Sequence, residues 1–447
     1  MLPSRRPPHG ALRTAWSAAL RTVSRAVLPL VAATALGAQV RLTLPATPPD
    51  VDALHAPGQN VTISLLTMGP SADQIWEMFG HAAIWIHDNT TQRDTVFNWG
   101  EFDSSQPFFI WHFIQDRNQY RMGGGSLDET VAYYKYFRRT LVSQRLNLTN
   151  AQKDSLLHLM QINAEPENVQ YRYDYFRDNC ATRPRDLLDQ VTGGALRASS
   201  QQVTDHSYRW HTLRLMQDNT LITLGVDVGL GEPSDKPIAR WDEMFLPQQL
   251  HDVVAAAQVR DSQGALRPLV ARESVLLQSD RPPEPAAPPK LGVWLLALGV
   301  VIAALIAWLG LGVEPESRGR RIVTGLVIGL WSLVAGLLGC ALTFLWLFTD
   351  HVFARSNENL LLFNPLWLIL AVMALVYYVS GRAERATRSL AALLALFSAI
   401  ALLAHPVGLS RQSNLPLIGL ALPAALVIAW LTTRADLARA RPATDNP

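Results

Sequence analysis

Cysteine is nearly absent: the chain has two in 447 residues, Cys180 and Cys340. That excludes a disulfide scaffold. Cys340 lies deep in an apolar run and Cys180 in the polar stretch "RDNCATRPRD", so the two should not meet even in an oxidising compartment. Charge is scarce as well, 17% against roughly 25% in soluble domains, and it nearly cancels at +2. With no basic cluster and no nucleic-acid motif, a nucleic-acid partner is excluded. The histidines His87, His112, His206 and His211 lack the paired spacing of a metal site. No cofactor is expected, and no internal repeat is evident.

What the chain has in plenty is apolar residues, 49% of the total, concentrated after residue 290. Five runs, 291–313, 322–349, 360–379, 390–409 and 415–433, approach or exceed the ~20 residues needed to cross a bilayer core. A sixth, shorter run at 26–40 follows Arg5, Arg6, Arg13, Arg21 and Arg25, the pattern of an export signal, cleaved or kept as an anchor. Arginines also crowd 314–321, 380–388 and 434–441, which the positive-inside rule assigns to the cytoplasm. Threading five spans from outside to inside satisfies all three. It leaves 41–290 and the loops 350–359 and 405–414 outside.

Five regions follow: a basic segment with signal or anchor (1–43), an exported domain (44–279), a Pro-rich linker (280–290), five spans (291–434) and a cytoplasmic tail (435–447). The prolines of the linker favour a stiff spacer. The exported domain is long enough to bury one core.

Within that domain "VTISLLT" (61–67), "HAAIWIH" (81–87) and "DTVFNWG" (94–100) read as strands. A tight hairpin between the second and third pairs Ala83 with Asn98 and puts His81, Ala83 and Asn98 on one face. Further strands are expected at 138–148 and in "NVQYRYDYF". Helices are expected from Thr149, with Gln152 completing a capping box, and over "NCATRPRDLLDQV". Pro184 fits only a first helical turn, so Cys180 falls at or just before a helix N-terminus. There the helix dipole lowers a thiol pKa, a nearby His81 can take the proton, and Asn98 can fix the imidazole. The plainer alternatives are an inert buried cysteine, a core histidine and a turn asparagine.

The stretches "FGHAAIWI" (79–86), "FNWGEFD" (97–103), "QRLNLT" (144–149), "PENVQYRYDYFRDNCATRPRDLLD" (166–189), "TLGVDVGLGEPSD" (223–235) and "MFLPQQL" (244–250) resemble the Lnb-type bacterial lipoprotein N-acyltransferases. The likeness continues at "TDHVFARSNENLLLFNPL" (349–366) and covers roughly residues 60–366. It implies an α+β periplasmic domain of permuted, papain-like (NlpC-type) fold, followed by an all-α five-helix transmembrane domain. It implies an inner-membrane location with the catalytic domain in the periplasm. Cys180 would be the nucleophile and His81 the base. An acyl chain would pass from a phospholipid donor, through a Cys180 thioester, to the α-amine of a diacylated lipoprotein. The amides of Cys180 and Ala181 are natural oxyanion donors.

His351, Asn357, Asn359 and Asn364 gather at one outer loop and span entry, where polar residues are costly and usually functional. Asn357 and Asn359 can equally cap the helix that follows. Arg183 and Arg185 could meet a lipid phosphate or pair with Asp186 or Asp189. Three other functions remain open: a phospholipid deacylase, a papain-like cell-wall amidase or peptidase, and a membrane-anchored assembly module with an inert Cys180.

Overall fold

The computed structural model describes residues 48–103, 107–311, 313 and 317–439, all within one compact unit. The expected signal or anchor segment and most of the tail lie outside the described residues.

The exported domain is built on a seven-stranded, wholly antiparallel sheet. Its strands are β1 (Val61–Met68), β2 (His81–Asp88), β3 (Asp94–Glu101), β4 (Gln119–Ser126), β5 (Leu141–Leu146), β6 (Gln170–Arg172) and β7 (Val270–Leu277). Their spatial order is β7-β5-β1-β2-β3-β4-β6. The β2–β3 hairpin has the expected register, Ala83 opposite Asn98. Alternation then sorts the side chains. Ile63, Leu65, Ala82, Ile84, Phe97 and Trp99 share one buried cluster with α2 (Asn150–Ala164) and α3 (Thr182–Val191). Leu66, Met68, Ala83, Val96 and Leu141 form a second with Tyr134 of α1 (Leu127–Tyr136). The α2 helix starts at the foreseen capping box, Thr149 and Gln152 bonding reciprocally. "NVQYRYDYF" yields only three strand residues, because the chain turns sharply from Asp174 to Asp178.

The five apolar runs are helices: Gly292–Leu311, Arg318–Phe348, Leu366–Ser380, Glu384–Ala404 and Leu415–Arg439. All five elements are long and apolar enough to span, the third when counted from Val352. Small residues bring spans together, as expected where lipid removes the hydrophobic drive between helices. A Cβ on Gly339 would lie 2.3 Å from the Asn364 Cα, so glycine sets that approach of the second span to the third.

The two outer loops are knitted to the domain. Asn357 Nδ2 donates to the carbonyls of Val228 and Gly229 at 2.9 and 3.1 Å, and Asn359 Nδ2 to Val228 at 3.0 Å. From the other loop, Gln412 Nε2 donates to the Leu230 carbonyl at 3.2 Å and the Ser413 amide to Asp235 at 3.2 Å. Loops 350–359 and 405–414 thus lie on the domain's side, as the arginine pattern requires. The linker is strapped to the domain: Arg281 bonds the Phe137 carbonyl at 3.0 Å, and Arg214 holds Glu284 and the Pro285 carbonyl, each at 3.0 Å.

Candidate active site

The turn before α3 is held by one buried amide. Asn179 Oδ1 accepts from the Ala181 and Thr182 N–H groups, both at 2.9 Å, and its Nδ2 donates to the carbonyls of Tyr175 and Phe245, both at 2.9 Å. Every polar atom of Asn179 is engaged, so the chain leaves the tyrosine-rich segment in one fixed conformation. The helix begins at Thr182, with Pro184 in its first turn. Cys180 therefore sits just outside the helix tip.

From there the thiol meets the end of the sheet. The Ala82 N–H at the start of β2 points at the sulfur. Gly100 adopts φ +87°, and a Cβ there would stand 3.8 Å from Cys180 Cβ and 3.1 Å from the Tyr173 ring. Side chains are thus excluded at Gly100, and the left-handed φ suits glycine. His81 Nε2 and Asn98 Oδ1 are 3.1 Å apart, which ties the ring to the next strand. Among the described residues no hydrogen bond joins the thiol to the imidazole.

Electrostatics reverse one expectation. A helix end contributes about 1–2 kcal/mol, whereas burial can move a pKa by ~3–5 units. Burial wins: it pushes the Cys180 thiol up to about 11, against the opposing bond from Ala82. Burial also pulls His81 down to about 4, against the bond from Asn98. Burial thus favours the neutral form of both groups. Of the two amides expected as oxyanion donors, that of Ala181 is bonded to Asn179 Oδ1 at 2.9 Å.

Two features carried no signal in the sequence. Arg139 is buried, paired with Glu77 at 3.1 Å and bonded to the Gly69 carbonyl at 2.7 Å, and its charge bears on both His81 and Cys180. A β-bulge between Trp99 and Glu101 resets the alternation of β3. It turns Glu101 onto the face of Asn98, and the carboxylate occupies the space where a Cβ on Gly123 would fall, at 1.9 Å. Both depend on tertiary contact and a local slip that period-2 reasoning passes over.

The other sequence-predicted residues separate. Arg185 is buried, pairs with Asp186 at 2.8 Å, donates to the Trp241 carbonyl at 3.1 Å and stacks on that ring, so it is removed from a phosphate role. Arg183 is held by Asp178, at 2.7 Å through Nη2, rather than by Asp186 or Asp189, and lies 3.8 Å over the Tyr171 ring. His351 Nε2 is 3.1 Å from the Ile114 carbonyl. Asn357 caps the turn Glu358–Leu361 through the Asn359 amide and, like Asn359, spends its Nδ2 on domain carbonyls. Asn364 differs: its Oδ1 caps Leu366 at 3.2 Å, but its buried Nδ2 has no partner. It lines a cavity of about 650 Å³ with Asn357, Glu358, Trp346, Phe397 and Arg411, at the outer end of the spans.

His206, His211 and Glu243 also converge, their ligand atoms within 4.8 Å of one another. The sequence hid this because the third member is remote. Every arm is engaged: Glu243 Oε1 accepts from His206 at 2.9 Å, His211 at 3.0 Å and Thr204 at 3.1 Å, while Arg214 bonds His211 Nδ1 at 3.3 Å. Burial favours the neutral acid, but the bonds from His211 and His206 hold the Glu243 carboxyl down at about 2. The group is a charge hub of the fold, with ligand types a metal could use only by displacing those bonds.

An aromatic surface adjoins the second span. Phe108, Trp111, Phe113 and Trp76 are exposed, and Trp111 meets Phe344 of that span at 5.9 Å. From it, Phe109, Phe102, Tyr120 and Tyr173 run ring against ring, at 5.6, 5.3 and 4.3 Å, to the glycine beside Cys180.

A periplasmic α/β domain carrying this site, fixed to five membrane-spanning helices, makes the chain a multi-pass membrane protein. Two family models match it, the Lnb N-terminal periplasmic domain over residues 53–219 and the Lnb transmembrane domain over 288–435, together more than two thirds of the chain. The chain belongs to the Lnb family, and both domains tie it to lipoprotein N-acylation. No curated protein and no solved structure matches.

Proposed function

We propose that the protein transfers a fatty acyl chain from an inner-membrane phospholipid to the N-terminal α-amine of diacylglyceryl-cysteine lipoproteins, through a thioester on Cys180. The observation that carries this reading is the meeting of Cys180, at the tip of α3, with the start of β2, where His81 is tied to Asn98 at 3.1 Å. In the first half-reaction Cys180 Sγ attacks a glycerol ester carbonyl while His81 takes the thiol proton. His81 then returns that proton to the leaving glycerol oxygen, releasing lysophospholipid. In the second, the lipoprotein amine attacks the thioester, the C–S bond breaks, and the thiol is reprotonated. Splitting ester-to-amide exchange in two lowers each barrier. A neutral thiol beside a neutral imidazole suits this cycle, since no ion pair need be desolvated before lipid arrives.

Two further observations support a lipid substrate. Exposed aromatics beside a span fit the membrane interface. The cavity at Asn364 offers one unpaired buried donor in a largely apolar lining at the bilayer's outer face. It is the proposed seat for a lipid head or glycerol group. The test is mass spectrometry of a lipoprotein N-terminus in a host whose own N-acylation is switched off. Three acyl chains are expected with the wild type and two with Cys180→Ser or His81→Ala. Two chains with the wild type and accumulating lysophospholipid would make the enzyme a deacylase. Three chains with Cys180→Ser would remove the nucleophile.

A further inference from the structure

The second half-reaction of the proposed cycle raises a problem that Cys180, His81 and Asn98 do not solve. An α-amine titrates near pH ~8 and enters largely as ammonium, which cannot attack a thioester. His81, the base of the first half-reaction, is again needed for the proton lost as the amide forms. A separate group must strip the incoming ammonium.

Glu101 meets that need by position. The bulge at Trp99–Glu101 brings its side chain to the face of Asn98 and His81. Gly123, the residue directly opposite Asn98, has no side chain, and the Glu101 carboxylate fills that space. Alanine at 123 would evict it. Oε2 is buried and has no hydrogen-bond partner, which is unusual for a carboxylate inside a fold. Its charged surroundings are few. Arg121 faces it from β4, opposite in register, and draws its pKa down, without forming an ion pair among the described residues. Tyr134 of α1 senses both Glu101 and Cys180, which places the carboxylate within electrostatic reach of the nucleophile's surroundings.

Resting on the N-acyltransferase reading, we propose that Glu101 receives the acceptor's α-amine and takes its first proton. The ammonium pairs with the carboxylate, and one proton passes from nitrogen to Oε2, leaving a neutral amine and a neutral acid. The amine then attacks the thioester. Its second proton goes to His81 and from there to the departing Cys180 sulfur, and Glu101 later releases its proton to solvent. Burial, against Arg121, lifts the carboxyl to about 8, level with an α-amine, so the transfer is nearly balanced. A carboxyl of that pKa is ionised only in part near neutral pH, and the arriving ammonium favours its ionised form, so the site selects an amine over water.

The experiment uses the full-length protein in phospholipid vesicles with a diacylated lipopeptide bearing a free α-amine, following lysophospholipid, N-acylated peptide and acyl-enzyme separately by mass spectrometry. Glu101→Gln is expected to release about one lysophospholipid per enzyme and then stall as acyl-Cys180, with N-acylation falling roughly 10²-fold or more. Hydroxylamine, an amine already unprotonated at neutral pH, should discharge the stalled enzyme and restore turnover. Glu101→Asp should retain part of the N-acylation. Equal loss of both half-reactions in Glu101→Gln, or full N-acylation by it, overturns the role of Glu101. A wild type that never N-acylates the peptide overturns the parent reading instead.

Discussion

The protein has two groups of polar side chains, one half-buried at the end of the sheet and one buried where the outer loops meet the domain, and they are built on opposite terms. At the loop junction nearly every atom is satisfied. Asn357, Asn359, Gln412 and Asn414 bond backbone carbonyls and one another, and Asn364 alone keeps an idle donor. At the sheet end the groups are underserved. Cys180 and His81 are held neutral by burial, and Glu101 has a lone unpaired oxygen. Satisfied polar groups hold a structure in place; unsatisfied ones are held ready for something that arrives. The contrast agrees with the chemistry proposed for the first site and with attachment at the second, and it can be attacked from either side.

The strongest test falls on the His81–Asn98 link. Asn98→Ala is expected to slow N-acylation roughly tenfold or more by freeing the ring. Because the Asn98 bond raises the His81 pKa, its loss should also move the acid limb of the rate profile to lower pH than in the wild type. The sign for stability runs the same way. His81 binds protons more readily unfolded than folded, so its burial costs stability as pH falls below about 6.5. An acid limb unmoved in Asn98→Ala would break the comparison at its catalytic end.

At the other site, Asn357→Ala and Asn359→Ala should each lower the thermal midpoint, by about 1–3 kcal/mol of lost stability, since the first strands the Gly229 carbonyl and the second the Asn414 Nδ2 donor. The protein that stays folded should keep its kcat. A fall in kcat without loss of stability would move these asparagines into the chemistry. The smallest effect is expected at Arg183→Lys, which keeps the charge but loses the two-pronged bond to Asp178 and the stack on Tyr171. A slightly lower midpoint with an unchanged KM for phospholipid fits attachment. A tenfold rise in KM would return Arg183 to lipid recognition.

Much of this was legible beforehand, and unevenly. Hairpin register followed from the short polar turn between two β-branched runs, so Ala83–Asn98 pairing could be counted off. The helix start just after Cys180 followed from Pro184, and the five spans from apolar length. The environment stayed hidden. Thiol and imidazole pKa values depend on how many atoms surround them, and helix position alone suggested the wrong direction for Cys180. Glu101 escaped because the bulge breaks strand alternation. The Glu243 hub escaped because its partners lie 32 or more residues apart in the chain. For Arg185 the pairing with Asp186 was one of the two foreseen readings, whereas the Asp178 partner of Arg183 escaped because surface charge and pinned charge read alike in one dimension.

The latch of Asn357, Asn359 and Gln412 onto the carbonyls of Val228, Gly229 and Leu230 has a geometric consequence. A catalytic domain on a free tether samples many heights above a bilayer and can meet any bond it encounters. One bolted to the loop ends of its own spans has a single height. In the proposed cycle Cys180 would then work as a fixed stylus over a moving film, and the depth of a bond in the lipid, as much as its chemistry, would decide whether it can be cut.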